Sequence, residues 1–168
     1  MLGLYGALLH TLNHAIAKAV LFLGSGDVSQ RYRTREAAGV RGLLTVVPAV
    51  GGALLLGSLA VLGSPPFGLF LSELTIVRAG FAGASPVLPL LLLGLLAVAF
   101  VAFARTTMAM VTGQPADGTA PPDPYRGRAA RWTRVIPLAV GLVALLALGL
   151  WIPAGLNTAI MHSMAAIA

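Results

Sequence analysis

Long apolar runs separated by short polar ones set the plan of this chain. The first apolar run, residues 2–23, is long enough to cross a hydrocarbon core of about 30 Å. A polar stretch from Gly24 to Arg41 follows, carrying Asp27, Arg31, Arg33, Arg35, Glu36 and Arg41. The second run, residues 43–62, contains Pro48 and the Gly51-Gly52 pair. Membrane helices tolerate such residues where neighbouring helices satisfy the freed backbone groups. Gly63-Ser64-Pro65-Pro66 then interrupts the pattern, because two adjacent prolines cannot sit inside a helix. The third run, residues 67–82, is barely long enough to span and holds Glu73 and Arg78. Ser85-Pro86 separates it from a strongly apolar run, residues 87–111. A Pro- and Arg-rich stretch, residues 112–134, leads to a last run, residues 135–152, that stops at Pro153. The mildly apolar tail, residues 154–168, extends as a short helix. The pattern predicts an all-α, polytopic bundle of about five membrane segments, one of them interrupted by Pro-Pro.

Composition narrows the class. The chain has 168 residues, of which 58% are hydrophobic and 10% charged, and its mean hydropathy is +0.91. Soluble domains carry about 25% charged residues, and a single small core could not hide this much apolar surface. The net charge is +6, and eight of the ten arginines sit in the two short hydrophilic stretches between apolar runs. Such loops suit lipid headgroups and not nucleic acid. Without cysteine, the chain holds no disulfide, iron–sulfur cluster or thiolate metal site. No basic region or cleavage site of a signal peptide precedes the first run, which begins at Leu2 and suggests a fragment of a longer chain.

Both arginine-rich stretches compete for the cytoplasm under the positive-inside rule. If residues 67–82 span fully, three crossings separate the two stretches and they lie on opposite faces. They share a face only if that segment is re-entrant.

Two groups stand out in the apolar runs. His10, His14 and Lys18 are spaced i, i+4, i+8. On a helix they occupy an arc of about 80° and climb about 12 Å, with Thr11 in the same sector and Asn13 beside it. A mid-helix Lys costs about 2.5–3.5 kcal/mol on insertion scales, so Lys18 should face water or a carboxylate within a bundle. His accepts and passes protons near neutral pH. A row with about 6 Å between successive groups suits a water-bridged proton relay. Snorkelling to the interface is the alternative for Lys18, and interhelical hydrogen bonding the alternative for the two His. Metal is disfavoured because the helix lacks the Glu of the zinc-protease pattern, and haem because only His162 could be the opposite ligand.

Glu73 is the second singular residue, the only acid between Glu36 and Asp117. It follows the proline break, and interrupted helices often frame ion sites in transporters. Lys18 is its natural partner, and an interfacial Glu is the alternative. Arg78 and Arg105 read as headgroup anchors, and Trp132 and Trp151 as an aromatic belt. No nucleophile–base pair, phosphate loop or dinucleotide fingerprint is present, so no catalytic residue, cofactor site or metal site is expected.

The run His10-Thr11-Leu12-Asn13-His14-Ala15-Ile16-Ala17-Lys18-Ala19-Val20-Leu21-Phe22, followed by Gly24-Ser25-Gly26, resembles the H-x3-H-x3-K helix of the antiporter-like membrane subunits. These occur in respiratory complex I, membrane-bound [NiFe] hydrogenases and multi-subunit sodium/proton antiporters. Gly42-Leu43-Leu44 through Pro48, then Gly63-Ser64-Pro65-Pro66-Phe67 to Phe70-Leu71-Ser72-Glu73, is similar to the family's discontinuous helix. Ser-Pro-Pro-Phe, the Ser72-Glu73 pair and Arg31-Tyr32-x-Thr34-Arg35 look most like component F of the hydrogenase-4 type complexes. The likeness covers about residues 2–110.

That resemblance implies a membrane subunit of a redox-driven proton-translocating complex, with a sodium/proton antiporter subunit as the alternative. His10, His14 and Lys18 would belong to the central hydrophilic axis, and Glu73 to an exit-side ionisable site. The implied partners are other membrane subunits, a peripheral redox arm, the lipid bilayer and protons, with sodium as the alternative ion. The implied location is a prokaryotic inner membrane. Residues 1–111 would be the C-terminal part of the proton-conducting domain, followed by the basic loop 112–134 and by the last span and tail, 135–168. The implied topology places loop 24–41 outside and loop 112–134 in the cytoplasm.

Overall fold

The computed structural model describes residues 1–83, 85–114 and 128–167, and among these there is no strand. The helices are α1 (Leu2–Tyr32), α2 (Leu43–Val46), α3 (Pro48–Val61), α4 (Gly68–Phe81), α5 (Val87–Val111), α6 (Arg128–Leu150) and α7 (Ala154–Ile167). A 3-10 turn, Ala37–Gly39, lies between α1 and α2. Leu2–Tyr32, Val87–Val111 and Trp132–Leu150 are each long and apolar enough to cross a membrane.

α1 continues nine residues beyond Leu23, through a Gly-Ser-Gly-Asp stretch of low helix propensity. Packing overrides propensity here. Gly24 leaves room for Leu54, and Val28 is buried in one cluster with Val40, Leu43, Val50 and Val111. The Ser25 and Ser29 hydroxyls donate to the carbonyls of Phe22 and Gly26. Arg33, in the left-handed region at φ 52°, ends the helix. The Tyr32 hydroxyl then closes the following loop by donating to the Arg41 carbonyl at 2.7 Å.

Pro48 starts a new helix where one uninterrupted run was expected. α2 is a single turn, and Val47 at φ −140°, ψ 70° separates it from α3. Proline suits the first position of α3, where its missing N–H costs nothing.

α3 and α4 together make one crossing, each half about 21 Å long by rise. Along α3, Leu54 packs on Gly24 and Gly57 on Val20 and Leu21, while Ala60 shares a cluster with Ala17. Along α4, Gly68 meets Asn13, Ser72 meets His10, Ile76 meets Gly6 and Ala79 meets Gly3. Residue numbers in α1 fall steadily while those in α3 and then α4 rise. Both halves therefore run antiparallel to α1, one above the other, and the break at residues 62–67 lies level with Asn13–Ala17.

α5 returns alongside. Pro89 packs on Gly80, Thr107 on Ser58, and the Gly42 N–H donates to the Thr112 carbonyl at 3.1 Å. α6 descends along α1 from Asp27, which pairs with Arg134, past Val20 to the break, where Gly149 touches Pro66, Phe67 and Gly68. α7 packs on the start of α1 through Leu9, Ile160 and Met164, with the Tyr5 hydroxyl donating to Asn157 Oδ1 at 2.8 Å.

This corrects the expected topology. Two crossings, the α3–α4 pair and α5, separate the basic stretches, so loop 24–41 and the described edges of loop 112–134 share one end of the bundle. No re-entrant segment is needed, because residues 67–82 form the second half of a divided crossing. Residues 115–127 of the basic loop lie outside the described residues, as do the side chains of residues 128–131. The chain has no cysteine, so Ala38→Cys and Gln114→Cys, both at exposed positions, give unambiguous labelling. Both should react with a membrane-impermeant maleimide from the same side of sealed vesicles. Reaction from opposite sides would contradict the single divided crossing.

Candidate functional site

The helical spacing of His10, His14 and Lys18 places them on the flank of α1 beside its buried stripe. That stripe, Gly6, Leu9, Asn13, Ala17, Val20, Gly24 and Val28, faces the other helices. The two imidazoles stack, with centroids 5.5 Å apart and planes inclined by 26°. They are then oriented differently. His10 Nδ1 lies 3.2 Å from Ser72 Oγ on α4, whereas His14 lines a cavity together with Lys18.

The orientation of the Ser72 hydroxyl sets which His10 tautomer the contact takes. Ser72 is fully buried, and its hydroxyl donates to the Leu69 carbonyl at 2.8 Å. Having one proton, it can only accept from His10. His10 Nδ1 is therefore the donor, and in the neutral ring Nε2 is the acceptor. His14 Nδ1 is buried and has no hydrogen-bond partner among the described residues.

Lys18 is exposed on the flank of α1 and borders a cavity of about 520 Å³ between α1, α3 and α5. Its wall is mostly apolar, with Phe22, Leu54, Leu62 and Phe103, and carries the hydroxyls of Ser58, Thr106 and Thr107. Thr107 donates to Ser58 at 3.2 Å. Water bound among these groups would have the polar partners it needs.

Glu73 stands at the break in the divided crossing. It is half-buried and lines a second cavity, of about 430 Å³, with Leu62, Gly63, Phe70 and residues of α5. Gly63 has φ +66°, and a Cβ there would collide with Glu73 Oε2. Two demands thus select glycine at one position, the left-handed backbone and the space taken by the carboxylate.

The expected Lys18–Glu73 ion pair does not form. Lys18 faces the Phe103–Thr107 half of α5, and Glu73 the Leu93–Val101 half. Leu62 lines both cavities and lies between them. The structure thus brings His10 against His14, puts His14 and Lys18 on one cavity, and holds Glu73 apart on another. Thr11 turns to solvent or lipid and donates to the Ala7 carbonyl. Arg78, Arg105 and His162 are likewise exposed, and so are Trp132 and Trp151.

Three groups make contacts that their spacing did not indicate. Asn13 is fully buried, and its Nδ2 donates to the Leu9 carbonyl while its amide fills the space that Gly68 leaves. Ser72 and the Ser58–Thr107 pair bridge helices within the apolar interior. A hydroxyl in an otherwise apolar span is the only signal each offered, and it is weak because Ser and Thr commonly bond back to their own helix.

A Gly63→Ala change should destabilise the fold by about 1–2 kcal/mol for the backbone alone, with an added loss from displacing Glu73. Gly52→Ala, where a Cβ meets nothing within 4 Å, should be neutral or stabilising by up to about 1 kcal/mol. Thermal unfolding in one detergent compares them. An equal response in both variants would contradict the Glu73 placement.

The family described as NADH:quinone oxidoreductase/Mrp antiporter, transmembrane, matches residues 1–101. A hydrogenase-4 component F homolog of Methylacidiphilum infernorum is 33% identical over 117 residues, covering 70% of this chain and 24% of that protein. NADH-quinone oxidoreductase subunit N of Desulforudis audaxviator is 32% identical over 151 residues, 89% of this chain and 30% of that one. This likeness extends beyond residues 2–110. A chain of the Mrp complex from Dietzia sp. DQ12-45-1b shares the fold, with a TM-score of 0.73 and 22% identity over 88% of this chain and 34% of its own. The chain thus spans between about a quarter and about a third of the length of these proteins.

Proposed function

Because the chain belongs to the membrane-subunit family shared by NADH:quinone oxidoreductases and Mrp antiporters, we propose that it carries protons within a redox-driven complex of the hydrogenase-4 or NADH-quinone oxidoreductase type. His10, His14, Lys18 and Glu73 form the proton path in this reading. The observation that carries it is the cavity at mid-bundle shared by His14 and Lys18, next to a divided crossing that bears Glu73. A charged Lys at this depth is costly unless it meets water or a counter-charge, so its presence points to work done there.

The path is charge-balanced. A proton leaving the Lys18 ammonium and arriving at the Glu73 carboxylate converts a separated ion pair into two neutral groups. The reverse transfer restores the charges, so an electrostatic change supplied by partner subunits can drive the cycle. Those partners are other membrane subunits and a peripheral redox arm, in a prokaryotic inner membrane. The shared basic end of the bundle faces the cytoplasm.

A second reading, an antiporter subunit without redox coupling, draws on the Mrp antiporter half of the family description. Inverted membrane vesicles from the source organism, energised with NADH, formate or hydrogen, separate the two. The redox reading expects acidification of the lumen on adding one of these donors. Lys18→Ala should reduce it at least tenfold while part of the donor oxidation persists. Full acidification in that variant would sink the proton path. Donor-independent exchange of sodium for protons, lost in the same variant, would favour the antiporter.

A further inference from the structure

Two cavities, one above the break holding Lys18 and the other below it holding Glu73, share a single wall residue, Leu62. We infer that Leu62 is a hydrophobic gate, and that protons pass between the Lys18 and Glu73 cavities only when its side chain swings aside. This rests on the reading of Lys18 and Glu73 as proton-carrying groups.

Three observations point to a gate and not to passive filling. First, position along the chain gives Leu62 a joint. It is the C-terminal cap of α3, with its N–H still bound to the Ser58 carbonyl at 3.1 Å, and it precedes Gly63 in the left-handed region. Turning about such a junction re-aims one side chain without disturbing either half-helix. Second, the groups needing connection lie on both sides of it, with His14, Lys18 and Ser58 before it and Glu73 after it. Third, the other contact between the histidine row and α4 leads elsewhere. Ser72 accepts from His10 and gives its proton to the Leu69 carbonyl, towards its own helix. In this arrangement the hydroxyl offers Glu73 nothing.

An isobutyl group between two largely apolar spaces, each with only a few polar groups to hold water, interrupts a water chain at little energetic cost. Hydrophobic constrictions gate channels by such dewetting. With the gate shut, Lys18 and Glu73 can hold opposite charges without collapsing into a neutral pair. A pump needs that separation.

The test uses the complete complex, purified from source membranes and reconstituted in liposomes containing a pH-sensitive dye. Passive proton flux is driven by a potassium diffusion potential, so no electron donor is required. Leu62→Ala should raise this flux at least fivefold, and the double variant Leu62→Ala/Glu73→Gln should return it to the wild-type level. Leu62→Phe should keep passive flux at or below wild type and slow donor-driven acidification. A misassembled complex cannot give both signs, and Leu62→Val, expected to leak to a smaller extent, covers a fold that does not tolerate alanine. Wild-type flux and pumping in all three single variants, with Lys18→Ala inactive, would overturn the gate alone. A leak in Leu62→Ala that Glu73→Gln does not suppress would also overturn it. Full pumping in Lys18→Ala would instead overturn the underlying proton-path reading.

Discussion

A backbone that stops being helical halfway across a bilayer frees N–H and C=O groups that lipid cannot satisfy. The arrangement around residues 62–67 answers that problem. The Ser64 N–H donates to the Leu59 carbonyl, the Gly63 N–H to that of Ala60, and the Phe67 N–H to that of Ser64. What remains is sealed by close approach. Gly149 of α6 lies against the Pro66 carbonyl and the Gly68 backbone, and the Asn13 amide of α1 fits where Gly68 lacks a side chain. Phe67 and Leu69 are buried in the same cluster as Ala17, Ala60 and Leu145. Small residues on three helices thus let the interruption sit inside protein. The other placements follow: α4 takes its height from this junction, and with it Ser72 and Glu73.

The candidate path inherits its asymmetry from the same junction. His10 is tied to the lower half-helix through Ser72, whereas His14 and Lys18 face the upper half and α5. Neighbouring residues on one helix stripe therefore face different halves of the divided crossing. Glu73 belongs to the lower half but reaches the break itself, where Gly63 makes room.

Much of this was legible in the sequence for physical reasons. Apolar runs of membrane length report their solvent directly, and i, i+4, i+8 spacing puts His10, His14 and Lys18 on one stripe wherever the helix lies. Pro65-Pro66 announced an interruption. Whether the flanking runs were two crossings or two halves of one was not legible. Residues 43–62 and 67–82 each look nearly long enough alone, and only their contacts with α1 give their heights. The length of α1 was hidden too, since Gly24-Ser25-Gly26-Asp27 reads as a loop until Leu54 and Val28 are seen to pack there. Ser72, Asn13 and Leu62 matter through what lies opposite them, which periodicity does not encode. The Lys18–Glu73 distance failed for the same reason: two ionisable groups in one small bundle invite pairing, and the sequence holds no trace of the leucine between them.

The hydrogen bond from Gly42 to Thr112 has a consequence for direction. By joining the ends of the two basic stretches, it gathers Arg31, Arg33, Arg35, Arg41 and Arg134 into one collar. Moving one elementary charge across a potential of 100 mV is worth about 2.3 kcal/mol. A bundle with its arginines divided between the two faces would have little preference for either orientation in such a field. One with most of them pooled, and Arg78 at the far end of α4, would favour one orientation, and the histidine row would then keep one polarity relative to the membrane.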